Sequence, residues 1–228
     1  MLTEKKRSKA AHAVPAAPDL AARSEPVQER AIRSRAHILA VGRALLGEVG
    51  LDAFNTNLLA ERADVRVRTI YRYFPNKLAV IAAIGEELIG KWANWESVYF
   101  DELVKPTSDW RALLVGLIGE WFGVVVRENG SWAVLQAMNA IPELRELDRV
   151  TFSRIAASWE AAIRARAPDA KTDVTALSYG IVSTFYGFID SYMRVPEAVR
   201  EQIPEQLHAM ITARLGAVFN DGGQDAAR

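Results

Sequence analysis

The chain has 228 residues, 50% of them hydrophobic and 25% charged, with no cysteine and a formal net charge of zero. That length supports a substantial core in one or two domains, and the lack of cysteine excludes disulfides, thiolate metal sites and a cysteine nucleophile. No apolar run reaches the roughly 20 residues of a membrane span, and no apolar stretch follows the basic N-terminus as a secretory signal requires, so a cytoplasmic protein without a membrane partner is expected.

The zero net charge conceals an asymmetry. Residues 1–80 hold 14 Lys and Arg against 8 Asp and Glu, and residues 81–228 hold 14 against 20. A basic front on an acidic body orients a protein toward phosphate. Residues 1–27 are rich in Ala, Pro, Ser, Lys and Arg without apolar periodicity, and are expected to form a disordered arm. Its Lys5, Lys6, Arg7 and Lys9 either follow phosphates and a minor groove or serve as a solubilising tail. The first helix is predicted from about Val27 to Val49. Its inner stripe is Ile32, Ala36, Leu39, Leu46 and Val49, and Gly50 is the terminating residue with positive φ. Arg30, Arg33 and Arg35 approach a DNA backbone or form a solvated face.

From Asn55 to Lys77 the chain reads NTNLLAERADVRVRTIYRYFPNK. Asn55 caps a helix running to Ala63, with Leu58, Leu59 and Ala63 on its apolar side. Asp64 occupies the turn. A second helix runs from about Val67 to Phe74, with Val67, Ile70 and Phe74 on one face at i, i+3 and i+7. Arg66, Arg68, Thr69, Arg72 and Tyr73 are left to face another way, of which Tyr73, together with Phe74, is expected to pack the domain rather than meet DNA. A short helix with a packed back and a basic, hydrogen-bonding front suits a DNA major groove.

These residues carry a family resemblance. Ile38-Leu39, Leu45-Leu46, Gly50, Leu59-Ala60, Arg62-Ala63, Val65, Thr69-Ile70-Tyr71, Tyr73-Phe74 and Lys77 follow one another in an order and spacing that resembles the DNA-binding domain of the TetR (tetracycline-repressor-type) transcriptional regulators. The chain departs from that pattern in having Asp64 for a turn glycine, Arg66 for a capping serine and Arg68 for a small residue. Arg66 and Arg68 are the expected base readers, since arginine pairs bidentately with guanine. Thr69 and Arg72 are expected to contact DNA as well. The resemblance implies phosphate contacts for Tyr71 and Lys77, and Asn55 and Thr56 are expected on phosphate from the first helix of the pair.

A fourth helix is predicted from about Asn76 towards Phe100, with Leu78, Ile81, Ile84, Leu88, Ile89 and Trp92 apolar. Gly85 and Gly90 each weaken it by roughly 1 kcal/mol relative to alanine. The resemblance implies that this helix transmits ligand binding to the DNA-reading pair. Asp109 to Arg127 is apolar almost all round and is expected to be buried on most sides. Ser131 to Ala140 makes a shorter helix. Pro142 begins another, to about Arg166, with Leu144, Leu147, Val150, Ile155, Trp159 and Ile163 inside. Thr172 to Met193 has two apolar stripes, one of Ile181, Phe185, Phe188, Ile189 and Tyr192, the other of Tyr179, Val182, Tyr186 and Met193. Pro204 to Phe219 has one, of Leu207, Ile211, Leu215, Val218 and Phe219, backed by Met210. The resemblance implies that these last two helices build a four-helix bundle across a dimer two-fold, which a palindromic operator would match.

The expected fold is therefore all-α. A helix-turn-helix domain at 28–75 lies between the arm and a ligand-binding and dimerisation domain at 76–220, and 221–228 form a disordered tail. No catalytic constellation, cofactor fingerprint or metal-ligand spacing is present in the sequence. His12, His37 and His208 fall in separate segments. Glu143 and Glu146 read as surface charge, and Asp190 is an odd acid in an apolar helix. The resemblance implies a pocket in the second domain, and Trp92, Trp121, Phe122, Trp132, Met138, Trp159, Phe185 and Tyr186 are its candidate lining for a hydrophobic small molecule. The reading is a homodimeric, ligand-responsive repressor acting on double-stranded DNA. Two alternatives stand beside it: a DNA-binding protein without an inducer, and an all-α ligand-binding protein or enzyme whose helix-turn-helix is only structural.

Overall fold

The computed structural model describes residues 18–22 and 28–221, so most of the expected arm, with Lys5, Lys6, Arg7, Lys9 and His12, and residues 222–228 lie outside the described residues. The described residues form ten α-helices and one 3-10 turn, with no strand. In the first domain α1 (Glu29–Ala53) covers the pair α2 (Thr56–Arg62) and α3 (Val67–Tyr73). Its inner face is Ile38, Leu39, Gly42, Leu45 and Leu46. Ile32 and Ala36, expected on that face, are exposed. At about 100° per residue they turn away from the register set by Ile38 and Leu45. Gly50 interrupts the helix at φ 70°, as the sequence predicts, and three more helical residues follow it. Phe54, Leu59, Ile70 and Phe74 are completely buried beneath it.

The second domain is built on α4 (Lys77–Leu103), 27 residues long and therefore about 40 Å at 1.5 Å per residue. Asn76 caps it, its Oδ1 accepting from the Ala79 N–H at 2.9 Å. The same side chain's amide donates to the Asp19 carbonyl at 2.8 Å, which fixes residues 18–22 beside the start of α4. The first half of α4 packs on α1 and the second half on α5 (Trp110–Arg127) and α7 (Arg145–Arg166). Between them, α6 (Ser131–Ala140) follows the Asn129-Gly130 turn, and the 3-10 turn Pro142–Leu144 leads into α7. Next, α8 (Val174–Arg194) lies against α7, α9 (Glu197–Arg200) is a single turn, and α10 (Ile203–Asp221) closes on α5 and α8.

Three apolar expectations change. On α5, Ala112, Val115 and Gly119 face outward, so that helix keeps an open side. On α7, Val150 is exposed and its neighbour Thr151 takes the buried place, donating its hydroxyl to the Leu147 carbonyl. The second stripe of α8 divides: Val182 is buried, Tyr186 half-buried, and Tyr179 and Met193 exposed.

The domains meet closely where α1 passes the turn before α6. Gly130 has φ 85°, and a β-carbon there would lie 1.9 Å from the Arg43 carbonyl oxygen. One on Gly47 would lie 2.8 Å from the Gly130 α-carbon. Arg43 also forms an ion pair with Glu128 across the same junction. Only glycine at both positions allows these backbones to touch.

Candidate nucleic-acid interface and apolar cavity

The turn between α2 and α3 is a Schellman closure built on aspartate. Asp64 has φ 50°; its N–H donates to the Glu61 carbonyl at 3.2 Å, and the Val65 N–H donates to the Ala60 carbonyl at 2.9 Å. Aspartate tolerates this left-handed conformation better than most residues do. Asn55 caps α2 by accepting from the N–H groups of Asn57 and Leu58 at 3.1 and 2.9 Å. Ile70, Tyr73 and Phe74 form the packed back of α3. Tyr73 lies off the Val67, Ile70 and Phe74 spacing yet is buried with its ring beside Phe74, in the packing role expected of both.

Arg66, Arg68, Tyr71 and Arg72 stand exposed on the other side of α3, with Thr69 half-buried among them. Many arginines elsewhere in the molecule have an acidic partner, including Arg33, Arg62, Arg149, Arg164 and Arg194. Arg66, Arg68, Arg72 and Lys77 form no ion pair among the described residues. Their charge is uncompensated, and unneutralised cations along one edge are what phosphates recruit. Thr56 is nearly buried, and its hydroxyl lies 3.1 Å from that of Tyr71, which joins the start of α2 to the middle of α3. Lys77 is the first residue of α4, immediately after this surface.

At the far half of α4 a narrow cavity of about 20 Å³, room for about one water, lies between four helices. Trp95, Glu96 and Phe100 come from α4, and Leu117 and Trp121 from α5. The other wall is Ile155 and Trp159 of α7 with Val182, Phe185 and Tyr186 of α8. Edge-on ring contacts fix its sides, Trp121 on Phe185 at 5.1 Å and Phe100 on Trp159 at 5.3 Å.

Of the residues expected there, Trp121, Trp159, Phe185 and Tyr186 line the cavity. Trp92 and Met138 are core packing instead, the Met138 sulfur facing the bare backbone of Gly85. Phe122 packs on Tyr192 at 5.5 Å. Trp132 lies on a separate, outward groove with Gln136, Asn139 and Asp190. Asp190 itself pairs with Arg194 one turn on, at 2.9 Å.

Of the six lining residues outside the expected set, Glu96 is the one acid, only 4% exposed. Arg154 of α7 donates to its Oε2 at 2.9 Å. Burial raises its pKa above the ordinary carboxylate value, and the Arg154 hydrogen bond and charge offset only part of that. Tyr186 is pushed upward too, by burial first and then by the charges of Asp148 and Glu96. The signal for Glu96 is present in the sequence: it lies four residues after Trp92 and four before Phe100, on the buried face of α4. Among the described residues no group of three or more His, Asp or Glu is placed to hold a metal ion. No helix of the described residues is long and apolar enough to cross a membrane.

Comparison with known proteins bears on both regions. Residues 38–84 match the family model described as bacterial regulatory proteins, tetR family, and residues 109–215 match the tetracyclin repressor-like C-terminal domain. The chain is 34% identical over 77 residues to the class G tetracycline repressor protein of Vibrio anguillarum, covering 34% of each chain. It is 42% identical over 65 residues to the HTH-type transcriptional repressor KstR of Mycolicibacterium smegmatis, covering 28% of this chain and 30% of that one. The matches span about a third of the length of these relatives. Among solved structures, the SmeT–triclosan complex superposes with a TM-score of 0.60 at 19% identity, covering 80% of this chain and 91% of that one, a likeness of fold.

Proposed function

The chain belongs to the tetR family of bacterial regulatory proteins, and from that membership we propose that it is a cytoplasmic, homodimeric transcriptional repressor with no catalytic step. It reads a palindromic operator through α3 and leaves it when an apolar small molecule occupies the cavity. Residues 28–75 are the reading head and 76–220 the sensing and dimerising body. Arg66 and Arg68 meet base edges, with Thr69 and Arg72 beside them. Tyr71, Lys77 and the Asn55–Thr56 helix start meet phosphate. The dimer forms on the outward faces of α8 and α10, where Tyr179, Met193 and Met210 are exposed apolar residues. An aromatic effector matches the chemistry of the cavity's ring-lined walls, which must part to admit it; the triclosan carried by SmeT is a ligand of that protein and supports the chemistry only by analogy.

One observation carries the proposal: a single helix joins the two regions. Lys77 begins α4 beside the reading head, and Trp95, Glu96 and Phe100 of the same helix wall the cavity. About 35 Å of continuous helix separates the two ends. Among the described residues the indole N–H groups of Trp92 and Trp95, on the same stretch of α4, have no protein hydrogen-bond partner.

The test is selection of bound sequences from a random duplex pool, followed by affinity against salt. A palindrome and a steep fall of affinity with salt are expected. Recovery of no motif would sink the proposal for the reading head, and a cognate complex indifferent to every aromatic compound that quenches tryptophan fluorescence would sink it for the sensing body.

A further inference from the structure

We infer that the cavity selects a cationic ligand, an aromatic or alkyl ammonium, and that Glu96 is its specificity-determining residue. This rests on the effector-site reading above. Six of the cavity's walls are aromatic rings, and ring faces carry the negative end of a quadrupole that attracts ammonium groups. Glu96 is the one acid among the lining residues. Its Oε2 takes the Arg154 hydrogen bond, leaving acceptor capacity on Oε1 for a second donor or a bare cation.

The Arg154 side of the pair favours the same polarity. The Glu96 side chain is 5% exposed and that of Arg154 38%, so the carboxylate is the member committed to the interior. The guanidinium can turn toward water when another cation takes its place, whereas an anion entering here would meet the carboxylate among six aromatic side chains. A carboxylate left in an apolar site with one half-solvated partner is costly, and a ligand cation relieves that cost.

The exchange also supplies a mechanism of response. Glu96 of α4 and Arg154 of α7 tie the connecting helix to the sensing body. A ligand ammonium that replaces Arg154 at the carboxylate unties α4 from α7 by direct competition, without a long relay of contacts.

The experiment uses the full chain and two probes of nearly identical shape, benzyltrimethylammonium and its uncharged carbon analogue neopentylbenzene, titrated by tryptophan fluorescence. The ammonium is expected to bind roughly tenfold tighter than the hydrocarbon. Glu96→Gln should remove that preference while leaving hydrocarbon binding within about twofold. Arg154→Gln, which takes away the competitor, should tighten the ammonium several-fold; a merely structural ion pair would give weaker binding instead. Equal binding of the two probes, or an ammonium affinity unmoved by Glu96→Gln, overturns the charge assignment while an apolar effector site survives. Binding of neither probe overturns the inference and the effector-site reading together.

Discussion

The α-carbon of Gly130 lies so close to the Arg43 carbonyl that a β-carbon there would sit 1.9 Å from its oxygen, and the two domains meet at this point. The left-handed φ of 85° adds a backbone cost of about 1–2 kcal/mol for any L-residue. Gly130→Ala should therefore lower stability in chemical denaturation by more than that amount, because Arg43 or the turn must move as well. Gly90→Ala is the control. A β-carbon there meets nothing within 4 Å, and alanine in α4 should add about 1 kcal/mol.

Arg68 and Lys77 separate base reading from phosphate contact. Arg68→Ala should cost roughly 1–3 kcal/mol on the selected operator and little on random DNA. Lys77→Ala should weaken both alike and reduce the salt slope by about one. Both follow from fluorescence anisotropy at several salt concentrations. Equal losses on the two DNAs for Arg68→Ala would remove it from the base-reading set.

Asp64 supports the left-handed position of the Schellman turn, where the sequence lacks a glycine. Asp64→Val should cost about 1–2 kcal/mol, since a β-branched residue fits φ 50° poorly. The loss should fall on DNA binding as well as on the melting temperature, because the turn sets the angle of α3. A variant that melts as the parent does would show that the turn relaxes elsewhere.

Glu96 gives a pH dependence whose sign can be worked out. Its folded pKa is raised, chiefly by burial, with Arg154 opposing. Between the ordinary carboxylate value and the raised folded value the native state holds the extra proton, so stability from this group falls as pH rises through that window. Glu96→Gln cannot ionise and should lack this component. Its stability relative to the parent should be greatest near neutral pH and decline on acidification below the folded pKa. Denaturant midpoints of the two proteins measured from pH 4 to pH 7.5 test this, and a constant difference would contradict it.

How much of this was legible depended on the reach of each interaction. The α2–α3 pair could be read because its determinants are local: the Asn55 cap, Asp64 at the turn, and Ile70 with Phe74 on one face. Ser131 and Ala140 bound α6 where the sequence predicts for the same reason. Ile32 and Val150 are apolar yet exposed, since periodicity identifies a face without saying how far its neighbour extends. Four of the eight cavity candidates line the space, and aromatic composition alone could not separate Trp121 from Trp92. The pairing of Glu96 with Arg154 spans 58 residues, and nothing local in the sequence forecasts the partner of a buried acid.

The double engagement of Asn76, capping α4 with one end of its amide and holding the Asp19 carbonyl with the other, has a practical consequence. Residues 18–22 are thereby held beside the start of α4, at the edge where DNA is proposed to lie. A substitution at Asn76 therefore loosens that segment and the helix start together, and its effect on operator affinity cannot be assigned to the cap alone.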